Sequence, residues 1–229
     1  MVDVRADRDA LQGLVEEVRS RVPSAKRPVW RVGPSSLPAD LAERLLALGL
    51  RVPDDRASIL NAVACVAAPA APSDVDVRRV DTYEDYAVGR RVVWEAFGWS
   101  EARREADSRH LRLTFEAARE AGTPVSFLAY VDGRPAGVGR AVYSEHGVFL
   151  ISGAVVPWAR GRGVYRALVR ARWDDAVDRG TPALVTQAVP DTSYPILKRL
   201  GFLDVCTVRR LEDAGYRASS GATSTAAAS

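Results

Sequence analysis

The sequence predicts an α/β fold: a mixed central sheet with helices on both faces, preceded by a small β-α-β unit. Three observations carry this. From residue 74 onward, short runs of β-formers alternate with segments of helical apolar spacing. Three of those runs follow one another through tight turns, the signature of an antiparallel meander. A later run enters a helix directly, through Arg-Gly-Arg-Gly, as in a strand-turn-helix unit of a layered sheet.

The chain begins with a helix over residues 1–22, with Leu11, Leu14, Val15 and Val18 on one face and Pro23 and Pro28 as breakers. PVWRVG is a short strand. PSSLPADLAERLLALG reads as a helix with Ser36 at its N-cap, a proline in its first turn and Gly49 at its stop. SILNAVACV is a second strand and completes the β-α-β unit. AAPAAPSD, residues 67–74, has small residues and prolines without periodicity and marks a boundary.

VDVRRV then forms a strand. TYEDYAVGRRVVWEAFGW forms a helix capped by Thr82. SEARREADSRHLRLTFEAAREAG reads as one further helix stopped by Gly122. PVSFLAYVDGRPAGVGRAVYSEHGVFLISGAVV gives three strands, joined at Asp132-Gly133 and at Ser144-Glu145-His146-Gly147. A helix follows over about 163–179, then the strand PALVTQAV, the helix SYPILKRLG and the strand FLDVCTVRRLE. The expected division is 1–73, 74–213 and a small, polar, disordered tail, 214–229.

Composition excludes several classes of function. Net charge is +3 with acidic residues scattered throughout, and no basic tract points to nucleic acid. The first residues lack an apolar h-region, and the most apolar stretch, Ile59–Ala71, is too short to span a bilayer. Cys65 and Cys206 lie far apart and suit a reducing cytoplasm rather than a disulfide scaffold. His110 and His146 share no ligand spacing with them, so no metal is expected.

The Arg-Gly-Arg-Gly turn carries the chemistry. A helix N-terminus offers unpaired N–H groups and partial positive charge to a phosphate. Gly161 and Gly163 remove the side chains that would block close approach and permit positive φ. Arg160, Arg162 and Arg166 add charge around the same point. No Gly-Lys-Ser/Thr follows, so this is not a P-loop. The third glycine of the dinucleotide fingerprint is replaced by Arg166.

What remains is Arg-x-x-Gly-x-(small), Arg160 to Tyr165, behind Val-x-Pro. Here the chain resembles the GNAT family of acetyl-CoA-dependent N-acetyltransferases. AVVPWARGRGVYRAL is similar to the family's coenzyme A motif. YPILKRLGF is similar to its last helix, and the order of elements over 75–211 matches. The resemblance implies a sheet that splays after the fourth strand of the domain, with pantetheine paired to the amides of Gly153, Ala154 and Val155. It implies a pyrophosphate held by Gly161, Arg162, Gly163, Val164, Tyr165 and Arg166, with Arg160 beside them.

The implied activity is transfer of an acetyl group from the cosubstrate acetyl-CoA to a primary amine, small-molecule or peptide, by direct attack. The implied oxyanion donor is an amide such as that of Val155. The alternative is a coenzyme A-binding sensor or regulatory module without turnover. A plain interaction domain suits the cradle least, and a homodimer stays open.

Two family positions depart from the pattern. The tyrosine that serves many members as acid is replaced by Leu197, and the asparagine before that helix falls near Pro190 and Asp191. Tyr194, one turn from Leu197, is the substitute acid proposed from sequence, with Ser193 the other nearby hydroxyl. Tyr165 stands where a small residue is usual. No base stands out: Glu95, Glu145 and His146 read as solvated surface groups. Trp94, Phe97 and Trp99 are candidates for an acceptor pocket or for core, and Trp158 lies next to the cradle. LAERLLALGLRV echoes YPILKRLGFLDV, which suggests that the N-terminal unit is a degenerate half-repeat; an unrelated β-α-β cap is the alternative.

Overall fold

A computed structural model describes residues 4–22, 28–70 and 74–213. The tail expected over 214–229 lies outside the described residues. These residues form nine strands and seven helices, in two compact units. The division differs from that expected at residue 73. Of the described residues, the first unit comprises those up to Asn61, Val189–Asp191 and those from Cys206 to Asp213, and the second the others.

In the first unit, helix α1 (Leu11–Arg21) and helix α2 (Leu41–Ala47) accompany strands β1 (Val29–Val32) and β2 (Leu50–Arg51). Both strands pair antiparallel with the end of the last strand of the chain, β9 (Leu203–Asp213). Leu11 and Val15 of α1 join Trp30, Leu41, Leu45, Leu50 and Leu211 in a small core, with Leu14 and Val18 packed against it. The expected α1 face is thus the one that is buried. The guanidinium of Arg19 grips the buried carboxylate of Asp213 through Nε at 2.7 Å and Nη2 at 2.8 Å.

Ser36 is not the cap of α2. It is buried, and its Oγ accepts from the N–H of Gly33, closing a turn before the helix. Pro38 lies ahead of the helix as well, and Leu41 is the first helical residue. Gly49 ends the segment with φ of +90°, as its position predicts.

In the second unit, which takes β3 (Ile59–Cys65) from Ala62 onward, the strand order is β3, β8 (Leu184–Ala188), β7 (Gly147–Val155), β6 (Arg134–Ser144), β5 (Val125–Val131), β4 (Asp76–Arg79). β4 to β7 run antiparallel, while β7 and β8 are parallel. The β5–β6 turn has Asp132 and Gly133 both at positive φ, the geometry an Asp-Gly hairpin requires. Helix α3 (Tyr83–Ala96) packs on one face, where Gly89 meets Val138. Helix α6 (Val164–Asp178) packs on the other, where Gly137 and Gly139 meet it. The alternation of 137, 138 and 139 puts helices on both faces.

The single helix expected over 100–122 is two: α4 (Glu101–Ser108) and α5 (Leu111–Glu120), broken at Arg109–His110. Each half has a different partner. α4 turns Asp107 onto Arg90 and Trp94 of α3. α5 stacks Phe115 on Tyr83 and Tyr86, at ring separations of 6.0 and 5.6 Å. A straight helix would not serve both contacts.

Candidate functional site

The site begins where β7 loses its neighbour. Val148 and Phe149 pair with Leu184 and Val185 of β8, and Thr186 donates its hydroxyl to the carbonyl of Leu150. Beyond that point no residue of β7 is paired with β8. A bulge sits at the same place. Arg140 of β6 lies opposite Ile151 and Val138 opposite Ala154, so β7 carries one extra residue at Ser152–Gly153. Ser152 takes a left-handed φ of 53° to accommodate it.

The bulge and the split leave backbone groups facing a cleft. The amide of Val156 is spent on the carbonyl of Ala136. Strand alternation then turns the amide of Ala154 toward β6 and that of Val155 toward the open edge. The cleft has a volume of about 910 Å³. Gly153, Ala154 and Val155 form one wall. Helix α7 (Ser193–Arg199) and its approaches form the other, through Thr192, Ser193, Ile196, Arg199 and Leu200.

The floor is the start of α6. A single 3-10 turn, Pro157–Ala159, aims the chain out of β7. Gly161 and Gly163 then take φ of +79° and +81°, as the motif requires, and Gly163 is the N-cap. No side chain caps this helix and no acidic residue stands in its first turn. Its first N–H groups therefore point into the cleft without a side-chain acceptor, and the exposed Arg166 lines the opening.

The other two arginines are partly committed. Arg160 lines the cleft, but its Nη2 donates at 3.1 Å to the carbonyl of Ala96, tying the cradle to the end of α3. Arg162 pairs with Asp132 at 3.0 Å, on the β5–β6 hairpin, and does not line the cleft. Tyr165 does line it. Its ring lies on Gly153, where a Cβ would come within 2.8 Å of Cε2. Burial pushes its phenol up from the ordinary tyrosine value.

The proposed acid is held elsewhere. Asp204 lies beside the Tyr194 phenol and raises it, while Lys198, at 2.9 Å, and then Tyr194 keep the Asp204 carboxyl low. Tyr194 is not among the cleft-lining residues, whereas Ser193 is. Leu197 is fully buried in the core, so the departure from the family's tyrosine is a packing exchange. Glu145 and His146 pair with each other in solvent at the far end of β7.

Of the three aromatics near the end of α3, only Phe97 lines the cleft. Trp94 donates to Asp107, and Trp99 is covered by Arg103 at 3.8 Å. Trp158 is covered by Arg134 at 4.4 Å. The α7 wall was the part overlooked by sequence reasoning. Its signal was present, since Thr192, Ile196 and Arg199 recur at helical spacing.

A model described as the Acetyltransferase (GNAT) family matches residues 86–202, just over half of the chain. The chain belongs to the GNAT family. Its matched stretch runs from α3 to Phe202 and contains the whole cleft apart from Ala70.

Solved structures share the fold. A GCN5-related N-acetyltransferase from Kribbella flavida has a TM-score of 0.66 at 17% identity, covering 93% of this chain and 78% of its own. A tandem GNAT protein from the clavulanic acid biosynthesis pathway has 0.62 at 16%, covering 90% and 70%. A GCN5-related N-acetyltransferase from Sphaerobacter thermophilus has 0.55 at 20%, covering 88% and 64%. Coverage of this extent takes in the N-terminal unit as well as the family-matched part. No curated protein matches the sequence. No helix among the described residues is long and apolar enough to cross a membrane.

Proposed function

We propose that this chain transfers an acetyl group from acetyl-CoA to a primary amine by direct attack. One observation carries the reading: the unpaired half of β7 opens beside a helix start that no side chain among the described residues caps. The first supplies amides for an extended amide-bearing arm. The second supplies N–H groups and partial positive charge for a pyrophosphate. Gly153, Ala154 and Val155 would line the arm, with Val155 alone of the last two turning its amide outward. Gly161, Gly163, Val164, Tyr165 and Arg166 would hold the diphosphate. Arg162, bound to Asp132, contributes field more than contact.

Acetyl-CoA supplies an activated acyl carbon bonded to a good leaving thiolate. The protein's share is to position, polarise and move protons. The amide of Val155 faces the edge on which negative charge would gather at the carbonyl oxygen. As the nitrogen–carbon bond forms and the carbon–sulfur bond breaks, the proton lost by the amine must reach the sulfur. Thr192 and Ser193 line the cleft and would relay it, whereas Tyr194 lies against Asp204 outside the cleft lining. With Glu95 exposed on α3 and Glu145 paired in solvent, water takes the amine proton.

The test is a thermal melt with and without acetyl-CoA, followed by an amine panel read through thiol release. Ligand at about 100 times its dissociation constant adds roughly 2.7 kcal/mol, a rise of several degrees for a chain of this size. No rise overturns the reading. A rise without turnover on any amine assigns the chain instead to the coenzyme A-binding module without chemistry, which the buried Leu197 would suit.

A further inference from the structure

Arg172 is the most deeply buried charge in the second unit, at 1% exposure. It occupies the helix face that runs Tyr165, Leu168, Arg172 along α6, toward the sheet. Its Nε donates to the carbonyl of Leu168 at 2.8 Å and its Nη1 to that of Arg140 at 3.2 Å. Nη2 is buried and has no partner. No carboxylate among the described residues compensates the charge. Asp175, on the same helix, is taken by Tyr143, Arg179 and Arg79. Burial pulls the guanidinium below the ordinary arginine value.

Such a group is expensive to keep, and an apolar side chain of similar length would pack the same space at lower cost. Yet the sheet is cut to receive it. A Cβ on Gly139 would lie 2.9 Å from the Arg172 Cζ. The register places Gly139 between Val138 and Arg140, hence opposite the bulge of β7 at Ser152–Gly153. Neighbouring strands lie about 4.8 Å apart, so the charge stands roughly one strand spacing behind the backbone that borders the cleft.

We propose that Arg172 is a positioning residue for acyl transfer, its uncompensated buried charge polarising the bulged backbone of β7 toward negative charge on the thioester oxygen. This rests on the acetyl-CoA reading above. The guanidinium touches no ligand. It acts through the carbonyls it holds and through a field that the apolar core does not screen. The same burial that makes it costly to the fold makes its charge effective at the site.

The test is the infrared carbonyl band of carbonyl-¹³C-labelled acetyl-CoA bound to the full chain, in wild type, Arg172→Met and Arg172→Lys. Wild type is expected to hold the band below its position for free acetyl-CoA. Arg172→Met is expected to return it toward the free position. Binding should stay within about twofold and the melting point should not fall, because an unpaired buried charge has been removed. With an acceptor amine in hand, turnover should drop about tenfold at unchanged KM for acetyl-CoA. Arg172→Lys, buried without a carboxylate, is expected to lose its proton and to move the band with Arg172→Met.

A band that stays at the wild-type position in Arg172→Met overturns the proposal and leaves Arg172 structural. If Arg172→Met does not fold, Arg172→Lys decides: a band moved toward the free position supports the role of charge, and the wild-type band refutes it. Wild type that binds no acetyl-CoA overturns the functional reading itself, whereas a band indifferent to both substitutions overturns only this one.

Discussion

Two helices of the second unit start in opposite ways. α3 starts closed. The N–H of Asp85 donates to the Thr82 hydroxyl at 3.1 Å, the hydroxyl donates back to the Asp85 carboxylate, and Glu84 and Asp85 stand in the first turn against the positive end of the helix. α6 starts open, at a left-handed glycine, with no side-chain cap among the described residues and with Tyr165 and Arg166 where α3 has Glu84 and Asp85. One start has its needs met by its own sequence. The other leaves N–H groups and charge for something outside the chain. That difference separates a helix that only holds the sheet from one whose first turn is the proposed binding surface.

The contrast can be broken by experiment. The largest effect should come from Gly163→Val, which puts a β-branched residue at φ of +81°. Acetyl-CoA affinity should fall by about 100-fold or more and the ligand-induced rise in melting point should vanish, while circular dichroism shows helix content kept. Arg166→Ala should weaken binding about tenfold, the scale of one lost charge-assisted hydrogen bond. Arg162→Ala should change it by less than about threefold, because its partner is Asp132; equal losses at the two positions would show that the ion pair opens on binding. Titration calorimetry separates the cases.

At the closed start, Thr82→Ala should cost about 1 kcal/mol, or about 2–4 °C in Tm, with the acetyl-CoA shift intact. A loss of binding there would erase the distinction between the two helices. The smallest effect is expected from Tyr194→Phe, with turnover within about twofold of wild type because the hydroxyl is engaged by Asp204. A loss of tenfold or more would restore Tyr194 as the acid.

How much of this was legible in the sequence depended on whether the signal was local. Gly161 and Gly163 announce left-handed backbone by their chemistry, and Asp132-Gly133 announces a hairpin. Thr82 before an acidic first turn announces a cap. The break at Arg109–His110 was not legible, because residues 101–122 read as helix throughout and only Arg90, Tyr83 and Tyr86 demand two directions. Ser36 misled because its partner is the backbone N–H of Gly33, not that of a helix. The surroundings of Tyr194 were not legible, because Asp204 lies ten residues later and beyond the helix. Arg172 gave a signal that passed unread: a charge in the apolar stripe of α6.

The floor beneath α6 has a consequence for anyone mapping this protein by saturation mutagenesis. Added Cβ atoms would strike Val164 at Gly137, Arg172 at Gly139 and Tyr165 at Gly153, all closer than 3.0 Å. Alanine scanning assumes that replacement deletes atoms; at these three positions it inserts one. A tolerance map would show a diagonal band of intolerant sites across β6 and β7, and a reader ranking positions by intolerance would place Gly137 and Gly139 in the active site. The band would trace where a helix lies against a sheet, and the two maps, of contact and of chemistry, would overlap only at Gly153.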